Sequence, residues 1–380
     1  MKHFCMPADF RGVTLERYAA FNASRPDARV AETYGNVTVG NPFGSGRDLK
    51  KLPAVTFEAL AGYVRRSRQL GIDFAYTINA SFMRNQEFDE DGVGRILEFL
   101  DRLAVAGVRT VIVALPSLID LIRTADLGFD IKASTICQAT NPNKARALKA
   151  MGVAGMVVDE SVNRDFAALR GIREAFGERV EVIVNSLCHQ ECEYRMFHYN
   201  QVSGDSIDRA GAISSAYYPS RCVMRLLRDP AAFLKVTWIR PEDMQAYTDA
   251  GIRYFKLQGR QTVMDGDPLR AVTAYADGRF EGDFKDLLFL FAPSPAFQAG
   301  IDNRKLDGFL RPFVANPGFC KRDCGVCDYC GAFAARLTDP KAAGPAMKAA
   351  LNAMEAKDAF RGMVRAVRDR RRTAGEARTE

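Results

Sequence analysis

The chain has 380 residues, of which 47% are hydrophobic and 26% charged, and its formal net charge of +7 is ordinary for a globular protein. It contains no run of about 18 apolar residues, which excludes a transmembrane helix, and its N-terminus lacks the apolar stretch of a signal peptide. We therefore expect a cytoplasmic protein. In that reducing compartment, clustered cysteines are typical of metal ligands rather than of disulfides.

Short apolar runs typical of strands alternate with helical segments along most of the chain. The predicted strands span residues 29–34, 74–79, 110–115, 131–136, 155–159, 180–185, 235–239 and 254–257. Helices are predicted at 57–70, 94–106, 143–151, 161–176 and 241–250. Strands joined by helical crossovers form parallel sheets, and eight such units in about 250 residues predict an α/β fold, a closed (β/α)8 TIM-like barrel. An open doubly wound sheet is the alternative, but no nucleotide-binding glycine motif follows any strand.

The C-terminal part of the chain predicts a second, smaller region. We expect the barrel at residues 1–290 and a Cys-rich, mainly helical extension with a basic tail at residues 291–380. The basic tail contains Arg361, Arg365, Arg368, Arg370, Arg371 and Arg372. Such a tail is typical either of a solvated helix or of a contact with nucleic acid or an acidic partner.

Seven of the nine cysteines fall into two dense groups. They are Cys188, Cys192 and Cys222 in the first group, and Cys320, Cys324, Cys327 and Cys330 in the second. Closely spaced thiolates are soft ligands that select zinc or iron–sulfur clusters. The C-x3-C-x2-C-x2-C spacing of the second group favours a cluster over a zinc ribbon, whose cysteine pairs are far apart, while a structural zinc knuckle stays open.

Charged residues follow several predicted strands. In a (β/α)8 barrel the catalytic residues lie where strands end, around one mouth. Asp159 and Glu160 are candidate acid–base groups, or else charges at a helix N-terminus. Lys256 and Arg260 are candidates for binding an anionic substrate, together with Arg240, or else belong to buried ion pairs. A short glycine-containing loop at 44–47 is a weaker candidate for an anion cradle.

Three further candidates lie close to the first cysteine pair. Arg195 would hold an anionic substrate group or stabilise a negatively charged cluster, or else is a surface cation. His198 is a candidate catalytic residue, as the base for a cysteine nucleophile. His189, between two cysteines, is a candidate ligand, proton donor or loop residue.

Several phrases in successive strands resemble one protein family. N-S-L-C at 185–188 resembles the family phrase G-A-L-C, and K-L-Q-G-R at 256–260 resembles K-I-E-G-R. S-T-I-C-Q at 134–138 with Asn141 resembles S-T-Q…N, and V-D-E at 158–160 resembles S-R-E. Their order and spacing over roughly residues 25–262 resemble the collagenase-like peptidases, unassigned-type peptidase family 32.

The resemblance implies a TIM-like barrel and, as in the better-understood members, a 4Fe–4S cluster. Those members support oxygen-independent hydroxylation of ubiquinone precursors or of RNA bases, and others carry a peptidase label. A small-molecule or RNA substrate, and a related subunit or an electron donor as partner, are therefore implied. Cys222 matches the family's third ligand, whereas the fourth is expected near Ile239, where this chain has no cysteine.

The fourth ligand position leaves three alternatives. Cys137 supplies it, one cysteine of the second group supplies it, or it stays open for substrate. The family's strand-eight glutamate is Gln258 here, and its strand-five arginine is Asp159.

Three functions follow from these patterns. The first is an iron–sulfur redox enzyme, hydroxylase-like, with one or two clusters. The second is a peptidase, although the chain has three histidines and neither an H-E-x-x-H nor a G-x-S-x-G motif. The third is a zinc-bound nucleic-acid or partner-binding module formed by the C-terminal cysteines and the basic tail.

Overall fold

A computed structural model describes residues 1–207, 217–293, 300–337, 348, 351–352 and 359–376 of this chain. Its centre is a closed barrel of eight parallel strands, each bonded to the next in chain order and the last bonded to the first. The strands are β1 (Lys2–Pro7), β2 (Ala28–Gly35), β3 (Asp73–Ile78), β4 (Thr110–Val113), β5 (Asp130–Ala133), β6 (Gly155–Val157), β7 (Val180–Ile183) and β8 (Tyr254–Lys256).

Helices connect the strands and continue beyond them. Those of the barrel region are α1 (Gly12–Ala23), α2 (Phe57–Gln69), α3 (Glu90–Val105), α4 (Pro116–Ala125), α5 (Pro142–Ala150), α6 (Phe166–Phe176), α7 (Arg195–Ile207), α8 (Tyr217–Arg228), α9 (Pro230–Leu234), α10 (Met244–Asp249), α11 (Pro268–Asp277) and α12 (Phe284–Leu288). Those that follow are α13 (Arg311–Ala315), α14 (Tyr329–Ala334) and α15 (Ala359–Glu376). Side-chain caps from Thr56, Asp89 and Asp165 start three of the crossover helices by accepting a backbone N–H three residues later.

The closed barrel confirms the predicted fold class, and seven of the eight predicted strands coincide with β2 to β8. The predicted strand at 235–239 is wrong, because there Val236 makes only an isolated antiparallel bridge to His189. The true first strand, β1, escaped prediction since it is a short run that starts at a charged residue and ends at a proline. Its Phe4 and Met6 pack in the main apolar core.

The interior of the barrel is charged at its centre. Lys132 Nζ, from β5, lies 2.6 Å from Glu32 Oε1 of β2 and also binds Glu181 of β7. The thiol of Cys5 donates to Glu32 at 3.0 Å. Because these strands are not neighbours, their side chains meet only by pointing inward. The outward-facing residues of the strands pack against the helices instead.

The region after α12 packs against the barrel through aromatic rings. Phe309 lies 5.6 Å, between ring centroids, from Trp238 and 5.1 Å from Phe333 of α14. The helical, cysteine-bearing C-terminal region that we predicted is therefore present, whereas its division from the barrel at residue 290 stays a prediction. None of the described helices is long and apolar enough to cross a membrane.

Candidate functional site

The carboxyl ends of the barrel strands surround a cavity that opens at one mouth. Its empty volume, including the open entrance, is about 510 Å³. Its lining includes Tyr34, Arg47, Asn79, Tyr199, Lys256 and Arg260. The lining comes from several strands, from the loop after β2 and from α7, which is the usual construction of an active site on this fold.

The first cysteine group converges beside this mouth. Cys188 follows β7, Cys192 follows a turn in which Glu191 has a left-handed φ of 51°, and Cys222 lies on α8. The thiols of Cys192 and Cys222 are hydrogen-bonded, which lowers the pKa of Cys192 to about 6 and raises the pKa of Cys222. Burial, with the nearby charge of Glu160, raises the pKa of Cys188 to about 12. We call Cys188, Cys192 and Cys222 the thiol triad.

The loop that carries the thiol triad is held by the segment mispredicted as a strand. Thr237 donates its backbone N–H to the Cys188 carbonyl at 3.1 Å and its hydroxyl to the same oxygen at 3.0 Å. Gln190 donates its backbone N–H to the Lys235 carbonyl at 3.1 Å. Two short stretches of irregular chain are therefore paired with each other, and this fixes the position of Cys188 relative to the barrel.

Arg195, Asp159 and Glu160 form one buried group next to the triad. Arg195, at the start of α7, binds Asp159 and lies 3.7 Å from Glu160. It also donates to the His189 carbonyl at 2.8 Å, and so ties the cysteine loop to the end of β6. Burial, together with the charge of Asp159, raises the pKa of Glu160 in spite of the opposing charge of Arg195. Asp159 additionally accepts the Ser161 N–H at 2.8 Å, which is the helix-capping role considered from sequence.

Lys256 and Arg260 both line the cavity. The Nζ of Lys256 lies 3.7 Å from the centre of the Tyr34 ring, a cation–π contact. Arg260 is 6% exposed and donates to Asn36 and, at 2.8 Å, to Thr77. Neither side chain forms an ion pair within the chain as described. The buried ion pair that was the alternative is thus formed by neither side chain within the described residues, and the binding role stays a prediction.

The two histidines near the triad differ in their surroundings. His189 is 2% exposed, and its ring lies against the backbone of Cys222. His198 faces the rings of Tyr199 and Tyr218. Burial lowers the pKa of each imidazole to about 4, so both are neutral near pH 7.

The second cysteine group begins at Cys320, which lies beside the same loop. Cys320 Sγ is 3.9 Å from Gln190 Oε1, and Arg322 Nη1 is 2.5 Å from Glu191 Oε1. Cys320 and Cys330 face the buried guanidinium of Arg164, and Cys330 is within electrostatic range of Cys324. Burial raises the pKa of Cys330 to about 11.

Exposure divides the second group in two. Cys324 and Cys327 are exposed, whereas Cys320 and Cys330 are half-buried. Within the residues described, no three of the seven clustered cysteines hold their sulfur atoms all within 4.8 Å of one another. A tetrahedral zinc site with Zn–S bonds of about 2.3 Å needs sulfur–sulfur distances of roughly 3.8 Å. No three of these sulfur atoms are therefore as close together, within the described residues, as the ligands of a single zinc ion.

Two other sequence candidates lie outside the triad. The thiol of Cys137 donates to the Ala114 carbonyl at 3.3 Å, and burial raises its pKa to about 11. Arg240 pairs with Asp307 at 2.5 Å and with Glu242 at 3.3 Å. Its charge is therefore taken up by a structural ion pair, and the prediction that Arg240 joins an anion site finds no support.

The structure also reveals groups that sequence reasoning missed. Arg47, at the end of the 44–47 loop considered from sequence, borders the cavity together with Tyr199, but the sequence did not indicate that its charge reaches His198 and Cys188, whose pKa values it lowers. Cys5, Glu32 and Glu181 have ligand atoms within 4.8 Å of one another and could hold a metal ion. Lys132 already binds both carboxylates, however. No local sequence motif connects residues that meet only through barrel closure.

Fold and site together define a class of protein: a (β/α)8 barrel with thiols converging beside the mouth at the carboxyl ends of its strands. The sequence pattern of peptidase family U32 matches residues 30–276, and the chain belongs to this family. An uncharacterized protease of Methanocaldococcus jannaschii is 26% identical over 324 residues, which cover 85% of this chain and 95% of that protein. The solved structure of the U32 peptidase Mk0906 superposes with a TM-score of 0.50 at 16% identity, covering 68% of this chain and 93% of that chain. This structural likeness supports the fold alone.

Proposed function

We propose that this chain is an iron–sulfur enzyme that carries out an oxygen-independent hydroxylation, or a related redox modification, of a small molecule or RNA. The observation that carries the proposal is the convergence of Cys188, Cys192 and Cys222 beside the barrel cavity. These three thiols come from a loop and a separate helix, so their proximity is a property of the fold rather than of local spacing.

The residues present fit a cluster of this kind. The thiol triad would supply three ligands, and the buried imidazole of His189, which lies between Cys188 and Cys192 in sequence and against the backbone of Cys222, would supply a fourth. Cys137 is less suitable because its thiol is engaged with backbone carbonyls of β4 and the residue after it. When bound, the cluster would supply one-electron transfer at the mouth of the barrel.

The chain's own side chains have separable roles in this proposal. Glu160, whose pKa burial raises, would hold or deliver a proton next to the substrate. Arg195 is a positioning residue, because it joins Asp159 and the His189 carbonyl and so orients the cysteine loop. Tyr199 and residues of the barrel strands line the cavity and would limit the access of water to a bound substrate.

Electron balance defines the partner that such a reaction needs. Replacing a C–H bond by a C–OH bond, with water as the oxygen source, releases two electrons and two protons. An external one-electron carrier protein, or a related redox subunit, would accept the electrons. The second cysteine group, with its exposed Cys324 and Cys327, is the proposed place for a second cluster, and zinc is the alternative there.

The peptidase alternative receives less support from the geometry. Hydrolysis by a cysteine nucleophile needs a base within hydrogen-bond reach of the thiol. Within the described residues, His198 contacts tyrosine rings and His3 stacks on Tyr254 at the opposite end of the barrel. His189 makes no hydrogen bond to a thiol. A zinc-bound nucleic-acid module remains the third hypothesis, and α15 with its exposed arginines is the surface it would use.

Metal analysis of protein purified without oxygen tests the proposal. We expect about four iron and four sulfide per cluster with broad absorbance near roughly 400 nm. Cys188→Ala and Cys222→Ala should lose the share of iron that belongs to the barrel site. Cys327→Ala should remove only the share held by the second group. Zinc without iron, even after anaerobic reconstitution, would reject the redox proposal.

A matched control separates ligand loss from damage to the fold. Cys137→Ala removes a half-buried thiol close to the same mouth, yet it should leave the iron content unchanged. Equal iron loss in Cys137→Ala and Cys222→Ala would contradict the assignment of the triad.

A further inference from the structure

Two guanidinium groups at the barrel mouth carry positive charge that no carboxylate in the described chain neutralises. Arg260 donates to the oxygens of Asn36, Thr77 and Ser45, all neutral groups, the last at 3.4 Å. Arg47 donates to the Gly46 carbonyl at 2.9 Å and to Gln258 Oε1 at 3.3 Å. Because an isolated buried charge is costly, a buried arginine without an anion points to a missing partner.

Two of the other three buried arginines in the described chain are paired with carboxylates, and the third is held by backbone carbonyls and aromatic rings away from this cavity. Arg195 binds Asp159 and approaches Glu160, and Arg240 binds Asp307. Arg164 donates to backbone carbonyls and packs against aromatic rings. Arg260 alone among these four combines burial, a position on the cavity wall and exclusively neutral side-chain acceptors.

The two guanidinium groups are held close together by reciprocal contacts. Arg260 bonds Ser45, two residues before Arg47, and Arg47 bonds Gln258, two residues before Arg260. Burial lowers the pKa of Arg260 to about 10, and the neighbouring charge of Arg47 acts in the same direction. A guanidinium has five N–H donors, and Arg260 uses three of them within the protein. Donors therefore remain for a bound group.

The remaining charges near the mouth compensate one another. Lys256 lies within electrostatic range of Glu32, which also binds Lys132. Asp159 and Glu160 face Arg195. The positive charge of Arg47 and Arg260 is thus in excess on its side of the cavity, where an anion fits and a cation does not.

We propose that Arg260 and Arg47 bind the carboxylate or phosphate group of a small-molecule substrate inside the barrel mouth. A planar guanidinium pair matches the oxygens of either anion. A small molecule fits better than an RNA backbone because Arg260 is 6% exposed and forms the wall of a cavity, whereas backbone phosphates bind to exposed cations. The statement that this anion is part of the substrate rests on the proposed function, whereas the existence of an anion site does not.

Titration of the metal-containing protein with inorganic phosphate, and separately with a dicarboxylate such as succinate, tests this site. The measurement is calorimetric binding at constant ionic strength. We expect a dissociation constant in the millimolar range for at least one of the anions. Arg47→Gln and Arg260→Met should each weaken its binding about tenfold or more, since each removes a charged hydrogen-bond donor. The anion that binds more tightly identifies the bound group of the substrate as a phosphate or a carboxylate.

The control is Arg66→Gln, which removes an exposed arginine paired with Glu16 on the outside of the barrel and should leave binding unchanged. Arg260→Lys keeps the positive charge but loses the paired N–H donors of the guanidinium. It should bind the anion more tightly than Arg260→Met, and this difference separates loss of charge from misfolding. Binding that is absent in the wild type, or equal in the wild type and both mouth variants, overturns the proposal.

A short single-stranded RNA forms the last arm of the test. RNA binding that is lost in Arg47→Gln and Arg260→Met, without binding of either small anion, would replace the small-molecule proposal with an RNA site. Iron content is measured on the same samples. Zinc-only protein that still binds phosphate would reject the proposed redox function while leaving the anion site standing.

Discussion

Lys132 shows how a single buried cation organises the barrel interior. It joins Glu32 on β2 to Glu181 on β7, and Glu32 also accepts the Cys5 thiol. Burial by itself would raise the pKa of Glu32, but the charge and the hydrogen bond of Lys132 lower it overall. The three charges therefore stabilise one another, and removal of one leaves the others without compensation.

We expect Lys132→Met to lower the free energy of unfolding by about 3–5 kcal/mol, because it leaves two buried carboxylates unpaired. Chemical denaturation followed by circular dichroism measures the change. Lys149→Met, an exposed lysine of α5, is the matched control and should change stability by less than about 0.5 kcal/mol. A loss below about 1 kcal/mol in Lys132→Met would contradict the compensating role.

Individual site residues were predictable to different degrees. The thiol triad was predictable because cysteines are rare and their spacing is informative. Arg260 was predictable as a residue at a strand end, but its missing carboxylate partner was not, since pairing depends on the whole fold. The buried position of Lys132 was not predictable, because a lysine between apolar residues is also typical of a strand with one face in solvent.

At the scale of elements, the segment at 235–239 has an apolar run typical of a strand, but it serves as a support for the cysteine loop. Thr237 donates two hydrogen bonds to the Cys188 carbonyl, and its hydroxyl lies 3.1 Å from that of Ser186. Composition could not distinguish this role from a strand, because a short segment rich in β-branched and aromatic residues suits both. The segment cannot join the barrel sheet, because β7 and β8 pair directly with each other and leave no position for another strand between them.

Thr237→Val tests that supporting role. The substitution keeps the shape of the side chain but removes its hydroxyl, and we expect a stability loss of only about 1 kcal/mol. The iron that we propose for the triad should be lost to a chelator about tenfold faster, since groups that orient the ligands control affinity. Thr248→Val, whose hydroxyl bonds a carbonyl within α10, should release metal at the wild-type rate. Unchanged release in Thr237→Val would show that the loop holds its position without this contact.

At the scale of the whole molecule, an aromatic junction joins the C-terminal region to the barrel. Phe309 is fully buried and contacts Trp238, Tyr329 and Phe333, and the guanidinium of Arg164 lies 4.9 Å from its ring centre. Cys320 of the second cysteine group lies against the cysteine loop. Apolar packing therefore continues across residue 290, and the division of the chain at that residue stays a prediction.

We expect the barrel and the C-terminal region to unfold in one transition because they share this buried surface. Trp238 is the single tryptophan and lies at the junction, so its fluorescence and the far-ultraviolet circular dichroism should give the same midpoint. Phe309→Ala should lower the free energy of unfolding by about 3–5 kcal/mol and move the fluorescence transition ahead of the circular dichroism transition. Phe88→Ala, an exposed phenylalanine, should leave both unchanged. Two separate transitions in the wild type would establish instead that residues 291–380 form an independent unit, because only units that do not share a core unfold separately.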